Sequence, residues 1–272
     1  MTDPGHAMVY ETGPFFVETD AVFVPQPVSG GPWDPGLLHG GPVVGLLAHL
    51  VESVPSPTPV RICRHTVDMM RGVPMSPLRS EVEVLRAGRR IQVVRASLFD
   101  GDAEVARSTS LRMRVSQVVN PVDPVRTAHA EDEPHPMPTQ PSLLSMTDVG
   151  VPAFLRAVEF RREGEFRSGA PGLVWMRMHN TMVDGFEASP FVRLSTMADM
   201  TSMAAQYLSH EEWATINADL NVTSFRDPVG DWIGIRGLHK NDGDGIGLSE
   251  AVLYDLGGRV GRATASILIE PR

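Results

Sequence analysis

The chain carries a weak internal repeat near its two ends. The ten residues from Asp100 to Thr109 resemble those from Asp255 to Thr264, and every matched pair is separated by the same 155 positions. The identical pairs are Asp100 and Asp255, Val105 and Val260, Arg107 and Arg262, and Thr109 and Thr264. A constant spacing over several identities predicts two copies of one folding unit, which restricts the chain to folds built by duplication.

The length and composition fit two globular units of ordinary size or one large unit. The chain has 272 residues, of which 42% are hydrophobic and 21% charged, as is typical of folded domains. The net charge of -9 argues against a nucleic-acid partner, because nucleic acids select basic surfaces. The single cysteine, Cys63, excludes an intramolecular disulfide and a cysteine-based metal cluster, and the histidines do not follow metal-ligand spacing. We predict no metal and no cofactor.

The sequence shows no sign of a targeting or membrane segment. The amino terminus lacks a basic stretch followed by an apolar run, which would mark a secretory signal peptide. The longest apolar stretch, Val43 to Val51, includes His49 and is too short to span a bilayer. We therefore expect a cytoplasmic protein without membrane insertion.

A proline-rich segment separates the two copies of the repeat. Five prolines and the acidic run Glu131 to Glu133 lie between Gln117 and Gln140. Because proline lacks a backbone donor and disfavours helix before it, this segment is predicted to be an extended connector. The sequence thus predicts an amino-terminal unit over 1–116, a linker over 117–150 and a carboxyl-terminal unit over 151–272.

Each unit has the pattern of a strand, a helix and then about four antiparallel strands. Apolar residues recur at helical spacing after Pro42, and again between Leu194 and Ala205. Runs rich in β-branched residues, separated by turn residues, are typical of strands and hairpins. They lie at 21–25, 61–69, 78–85, 91–99 and 105–115, and then at 173–179, 221–225, 232–238, 246–254 and 259–269. A helix lying on an antiparallel sheet buries the apolar side of both, which predicts an α+β fold.

Short motifs along nearly the whole chain, apart from the connector, resemble those of one family. They are Trp33 with His39-Gly40-Gly41, segment 82–89, Met197-Ala198-Asp199, and segments 216–220, 225–232 and 253–262. Their order and spacing resemble those of the TesB-like double-hotdog acyl-CoA thioesterases. The resemblance implies two copies of a long helix wrapped by an antiparallel sheet. It also implies an acyl-CoA substrate that is hydrolysed to a free acid and CoA.

Asp199 is the strongest catalytic candidate. It lies within the apolar helical stretch from Leu194 to Ala205, where a carboxylate without a partner is costly. The resemblance places the family's catalytic aspartate on this helix, where it would deprotonate a water that attacks the thioester carbonyl. The alternative is an ordinary aspartate on the polar side of an amphipathic helix, or one that bonds a nearby hydroxyl.

The resemblance also implies a glutamine in the last strand and a hydroxyl group early in another strand. The glutamine position falls on Ala265, and strand alternation points Thr264 and Ser266 to the opposite face. The hydroxyl position falls near Asn217. Either Asn217 and Thr201 orient the water in their place, or the site is degraded.

His39, Gly40 and Gly41 are candidate substrate-binding residues. Glycine permits close approach of the backbone, and the first turn of a helix presents free N–H groups. Such donors would polarise the thioester carbonyl, with His39 as a further donor or a second base. The alternative is that the two glycines only lead the chain into the helix.

Two other functions remain open at this point. Ala265 favours a protein that binds acyl-CoA or acyl chains and has lost catalysis. A hydratase, which shares the hotdog fold, requires an Asp–His pair, and Asp199 has no histidine at suitable spacing along the sequence. By analogy with other hotdog proteins we also expect a homodimer.

Overall fold

A single sheet dominates the fold. The computed structural model describes residues 10–116, 130–142, 151–162, 172–204, 208–209 and 212–272. Within these residues fourteen strands form one sheet, which is antiparallel except where the first strand pairs with the ninth. In the amino-terminal half the strands are β1 (Pro14–Thr19), β2 (Val22–Pro25), β3 (Val60–Met69), β4 (Leu78–Ala87), β5 (Ile91–Asp100) and β6 (Ala103–Arg114).

The carboxyl-terminal half contributes eight strands and most of the short helices. Its strands are β7 (Val158–Arg162), β8 (Gly172–Met178), β9 (Thr181–Val183), β10 (Trp213–Asn217), β11 (Asp219–Ser224), β12 (Ile233–Asn241), β13 (Ile246–Asp255) and β14 (Gly258–Pro271). The α-helices of the described residues are α1 (Gly40–Glu52), α2 (Ala153–Arg156), α3 (Pro190–Ala198) and α4 (Thr201–Ala204). None of the helices in the described residues is long and apolar enough to cross a membrane.

The two halves of the sheet meet where β11 pairs with β3. From this junction the order runs β3-β6-β5-β4-β2-β1-β9 in one direction and β11-β14-β13-β12-β8-β7 in the other. Strand β10 pairs with β14 outside this path. Strand β9 comes from the second half of the sequence but pairs with β1, so the halves are also joined at this far edge.

The internal sequence repeat is a structural repeat. Thr66 of β3 pairs with Thr109 of β6, and Asn221 of β11 pairs with Thr264 of β14. At the junction Thr66 and Asn221 face each other, and the Thr66 hydroxyl donates to Asn221 Oδ1 at 2.8 Å. Thr66 and Asn221, like Thr109 and Thr264, are separated by 155 positions. The two copies are therefore related by a local twofold axis that passes between Thr66 and Asn221.

Helices α1 and α3 lie against each other inside the sheet. Helix α1 buries almost every residue from Gly41 to Val51, and α3 buries Phe191, Leu194 and Met197. Gly45 is required at the crossing, because a Cβ atom there would overlap Thr196 Oγ1 and Met182 Cε. This contact brings the start of α1 next to the end of α3.

The second helix is shorter than predicted. Helix α3 begins at Pro190, with Ser189 as its N-cap, and ends at Ala198, so the continuous helix expected over 194–205 is wrong. Asp199 is the C-cap, and one further turn, α4, begins at Thr201. The Thr201 hydroxyl donates to the Ala198 carbonyl at 2.6 Å. A hydroxyl that bonds a nearby carbonyl competes with the helical ladder, which accounts for the break.

All ten predicted strands are present, as β2 to β6, β8 and β11 to β14, with ends shifted by a few residues. The sequence prediction missed β1, β7, β9 and β10. Strand β9 has only three residues, and β7 and β10 have five each. Such short segments contain too few alternations to be recognised alone, and their pairing with longer strands holds them in place.

The described part of the predicted linker lies on the outer face of the second unit. Trp175 Nε1 donates to the Pro136 carbonyl at 3.3 Å, and the ring of His135 meets Tyr254 edge-on at 4.7 Å. The Arg259 guanidinium lies 3.3 Å from Asp132 Oδ1. Residues 130–142 are therefore attached to the carboxyl-terminal unit.

His65 makes the stability of the fold dependent on pH. It is fully buried in β3, with Nδ1 2.7 Å from Ser110 Oγ and Nε2 3.3 Å from the Val44 carbonyl. Burial lowers its pKa from 6.5 to about 4, because the imidazolium form loses its hydration. Between these values the unfolded chain binds more protons than the folded one, so stability falls as the pH falls. At pH 5 we expect a loss of about 2 kcal/mol from this histidine relative to pH 8.

Urea unfolding at pH 8 and pH 5 measures this effect. The His65→Asn variant removes the titrating group, so its difference in unfolding free energy between the two pH values should be smaller than that of the wild type by about 2 kcal/mol. Equal differences in the two proteins would show that His65 titrates normally in the folded state.

Candidate active site

Asp199 lies at the break between α3 and α4, next to the start of α1. Its residue exposure is only 5%. Its Oδ1 atom accepts a hydrogen bond from Asn217 Nδ2 at 2.8 Å, and its Oδ2 atom lies 3.1 Å from His39 Nδ1. The alternative of an aspartate on the solvent side of a helix is therefore wrong. The carboxylate is held in the interior by polar groups from both units.

His39 is the N-cap of α1 and the histidine partner of Asp199. The Gly41 amide donates to His39 Nδ1 at 3.0 Å, and the ring stacks on Phe154 with centroids 4.3 Å apart. No histidine lies at suitable spacing from Asp199 along the sequence, and the structure supplies one from the other unit, across the contact between α1 and α3.

The two glycines allow this close approach. A Cβ atom on Gly40 would lie 2.7 Å from both carboxylate oxygens of Asp199, and one on Gly41 would lie 2.9 Å from Phe154 Cζ and from the Thr196 carbonyl oxygen. A larger residue at either position would separate the helix start from the carboxylate. The expected free amides are present only in part, because the Gly41 N–H bonds His39. The Gly40 amide has no acceptor among the residues that the structure describes.

Asn217 reaches Asp199 from the end of β10. Its Nδ2 donates both to Asp199 Oδ1 at 2.8 Å and to the Asp199 backbone oxygen at 2.9 Å. These two acceptors fix the orientation of the amide, because the flipped form would place oxygen against oxygen. The Asn217 Oδ1 atom is buried and accepts no hydrogen bond from the described residues. Such an orphaned acceptor is suited to bind a water beside the carboxylate.

Thr201 and Ala265 contribute no polar group to Asp199. The Thr201 side chain is fully buried, and its hydroxyl donates a hydrogen bond to the Ala198 carbonyl rather than to the Asp199 carboxylate. Its predicted part in orienting a water at Asp199 is therefore not supported by the geometry. Ala265 points inward from β14, and Thr264 and Ser266 lie on the more exposed face, as strand alternation predicts.

Sequence reasoning missed Phe154, which covers one face of the His39 ring. Helix α2, which carries it, has only four residues, so no helical periodicity marks it. The packing of Phe154 against His39 and Gly41 is evident only once the two units are assembled. Together, these elements bury a carboxylate beside an imidazole, an amide and the first turn of a helix.

Sequence comparison matches both halves of the chain. Residues 29–113 match the profile of the acyl-CoA thioesterase N-terminal domain, and residues 127–269 match that of the acyl-CoA thioesterase C-terminal domain. The second match alone covers more than half of the chain. No curated protein matches the sequence.

Solved structures share the fold at low sequence identity. A putative thioesterase II from Thermobifida fusca YX aligns with a TM-score of 0.69 at 16% identity, covering 94% of this chain and 95% of that chain. A conserved protein with a hot dog fold from Alicyclobacillus acidocaldarius gives 0.67 at 13% identity, with 94% and 95% covered. The acyl-CoA thioesterase II TesB2 from Mycobacterium marinum gives 0.65 at 16%, with 97% and 96% covered. The chain therefore belongs to the acyl-CoA thioesterase family and has a double-hotdog fold.

Proposed function

We propose that this protein hydrolyses an acyl-CoA thioester to the free acid and CoA, with Asp199 as the general base. The observation that carries the proposal is the buried Asp199 carboxylate, held by Asn217 from one side and His39 from the other. A buried carboxylate costs free energy unless it is well bonded. Asp199 is retained here next to Asn217 Oδ1, an acceptor that has no hydrogen-bond partner within the described part of the chain. This is the arrangement that a bound nucleophilic water requires.

In the proposed reaction the water lies between Asp199 and Asn217. One of its O–H groups donates to the carboxylate and the other to Asn217 Oδ1. As the water oxygen bonds the thioester carbon, Asp199 takes the first proton and the carbonyl oxygen becomes negative. In this proposal the Gly40 amide at the start of α1 donates to that oxygen. When the tetrahedral intermediate collapses, the C–S bond breaks, and the CoA sulfur takes the proton that Asp199 accepted from the water, which restores the carboxylate.

A protein that binds acyl-CoA without turning it over is the first alternative. Ala265 supports it, since the position where the family carries a polar group holds only a buried methyl. The polar groups that contact Asp199 argue against a fully degraded site, because a buried charge without partners would destabilise the fold.

Hydration of an enoyl thioester is a second candidate function, favoured by the His39–Asp199 pair. Adding water across a double bond requires one group to take a proton from water and another to give a proton to carbon. A carboxylate and an imidazole 3.1 Å apart form such a pair.

One assay separates these functions. The purified protein is mixed with saturated and 2-enoyl acyl-CoAs of short, medium and long chain, in the presence of a thiol reagent. Hydrolysis releases CoA, whose free thiol reacts with the reagent and gives an absorbance increase. Loss of the enoyl absorbance without thiol release would instead indicate hydration. Acyl-CoA that binds in calorimetry but undergoes neither change would indicate a binding protein.

A further inference from the structure

The two copies of the repeat expose apolar residues at the same place on the outer face of the sheet. Ile91 and Val93 of β5 alternate with buried, inward-facing residues and are themselves partly exposed. Ile246 and Leu248 occupy the equivalent positions of β13, 155 residues later, and are 65% and 43% exposed. A single apolar residue at a surface is ordinary, but a matching pair in both copies forms a regular surface feature.

The neighbouring strands extend both apolar surfaces. Ile91 pairs with Met113 of β6, and Ile246 pairs with Leu268 of β14. Met113 and Leu268 are also separated by 155 positions, and both are exposed. Each unit therefore presents an uncovered apolar surface to the solvent.

Charged residues of opposite sign flank these two surfaces. Arg89 and Arg95 lie on either side of the apolar pair of β5, and the equivalent positions around the pair of β13 hold Asp244 and Glu250. All four charged residues are exposed. Residues two apart along a strand share a face, so each set forms a line on the outer surface. We call these lines the first stripe (Arg89, Ile91, Val93 and Arg95) and the second stripe (Asp244, Ile246, Leu248 and Glu250).

The charges of the stripes are only partly compensated within one copy. Arg95 lies 3.3 Å from Glu83, and both side chains of this ion pair are exposed. The Asp244 Oδ1 atom accepts from the Ile246 amide at 3.1 Å. Arg89 and Glu250 form no ion pair with the residues that the structure describes. Because an exposed ion pair contributes little, Arg95 also remains available to a second carboxylate.

We propose that the chain forms a twofold dimer in which the first stripe of each copy binds the second stripe of its partner. Four strands lie between β5 and β13 in the sheet, so the two stripes of one copy are too far apart to meet. The local twofold axis between Thr66 and Asn221 exchanges the positions of the two stripes. A second twofold axis, perpendicular to the first, places both contacts at once, and the assembly closes as a dimer.

Charge decides which stripes meet. A dimer that packed like stripes together would oppose arginine to arginine in one contact and carboxylate to carboxylate in the other, and both contacts would repel. Unlike stripes place arginine opposite carboxylate at both ends of an apolar centre, in whichever direction the stripes run. The stripes lie on the outer face, whereas Asp199 is buried inside the sheet. The dimer is therefore independent of whether the protein hydrolyses acyl-CoA.

Analytical ultracentrifugation of the purified full chain measures the mass of the assembly and its dissociation constant. We expect the wild type to be a dimer. The dissociation constant should rise at least about 10-fold in Arg89→Glu/Arg95→Glu and in Asp244→Arg/Glu250→Arg, because each change puts like charges into both contacts. An equal mixture of these two variants should form heterodimers, since one copy then has two acidic stripes and the other two basic stripes. The variant with all four changes should dimerise like the wild type, because its charges are exchanged rather than lost.

Two further variants complete the test. Arg71→Glu/Arg156→Glu makes the same change in net charge with two exposed arginines away from the stripes, and it should dimerise like the wild type. Ile246→Lys places a cation in the apolar centre opposite the arginines, so the dimer should dissociate while circular dichroism shows a folded chain. A monomeric or open-ended wild-type assembly overturns the proposal. So do a dimer that is insensitive to charge reversal and a mixture of the two reversed variants that stays monomeric.

Discussion

Asp199→Asn is expected to lower kcat for thioester hydrolysis by a factor of about 10² to 10⁴ while leaving the protein folded. The amide has nearly the shape of the carboxyl group, and its oxygen can still accept from Asn217 Nδ2. What it loses is the ability to take a proton from water. The rate is measured by CoA release with a thiol reagent, and the fold by circular dichroism and thermal unfolding.

The matched control is Asp68→Asn. Asp68 is an exposed carboxylate on β3 that pairs with Arg107 at 3.2 Å on the sheet surface. Asp68 is a carboxylate like Asp199, but it is exposed and far from the site. The kcat of Asp68→Asn should therefore remain within about twofold of the wild type. If Asp199→Asn hydrolyses acyl-CoA as fast as this control, another group activates the water and the proposed mechanism is wrong.

Arg226→Met is expected to lower the free energy of unfolding by about 3 to 5 kcal/mol. Its partner Asp255 is completely buried and also accepts from the Val229 and Gly257 amides, each at 2.8 Å. Burial pushes the pKa of Asp255 up, but the Arg226 guanidinium and the two amides outweigh this and hold it below its usual value. Without Arg226 a buried negative charge is left uncompensated.

Urea unfolding of Arg226→Met beside Arg107→Met measures this difference. Arg107 pairs with the exposed Asp68, so its removal should cost no more than about 1 kcal/mol. Equal losses in the two variants would show that burial of Asp255 adds nothing to the pair. Should Arg226→Met not fold, Arg226→Lys retains the charge without the two-pronged contact and is expected to show a smaller, measurable loss.

The Arg226–Asp255 pair also shows how the two copies of the repeat have diverged. Asp100 occupies in the first copy the position that Asp255 occupies in the second. Asp100 is exposed and accepts from Ser76 Oγ at 2.9 Å, whereas Asp255 is buried under the loop that carries Arg226. The repeat preserves the strand register, and each copy uses its matching residues differently.

The expected homodimer stays a prediction, based on analogy and on the proposed contact between the two stripes.

The sequence by itself determined the duplicated unit, the positions of the long strands and the start of α1. These depend on local regularities, namely strand alternation, helical spacing and turn residues, which a short window of sequence displays. Asp199 could also be singled out in this way, because a charge in an apolar stretch is visible locally.

Only the tertiary structure decided the composition of the site. His39 and Asp199 belong to different units, and they meet because Gly45 lets α1 approach α3 closely. The break after Ala198 and the role of Thr201 depend on a side-chain hydrogen bond that competes with the helical ladder. Contacts of this kind arise from packing between segments far apart along the chain, and no spacing within the sequence records them.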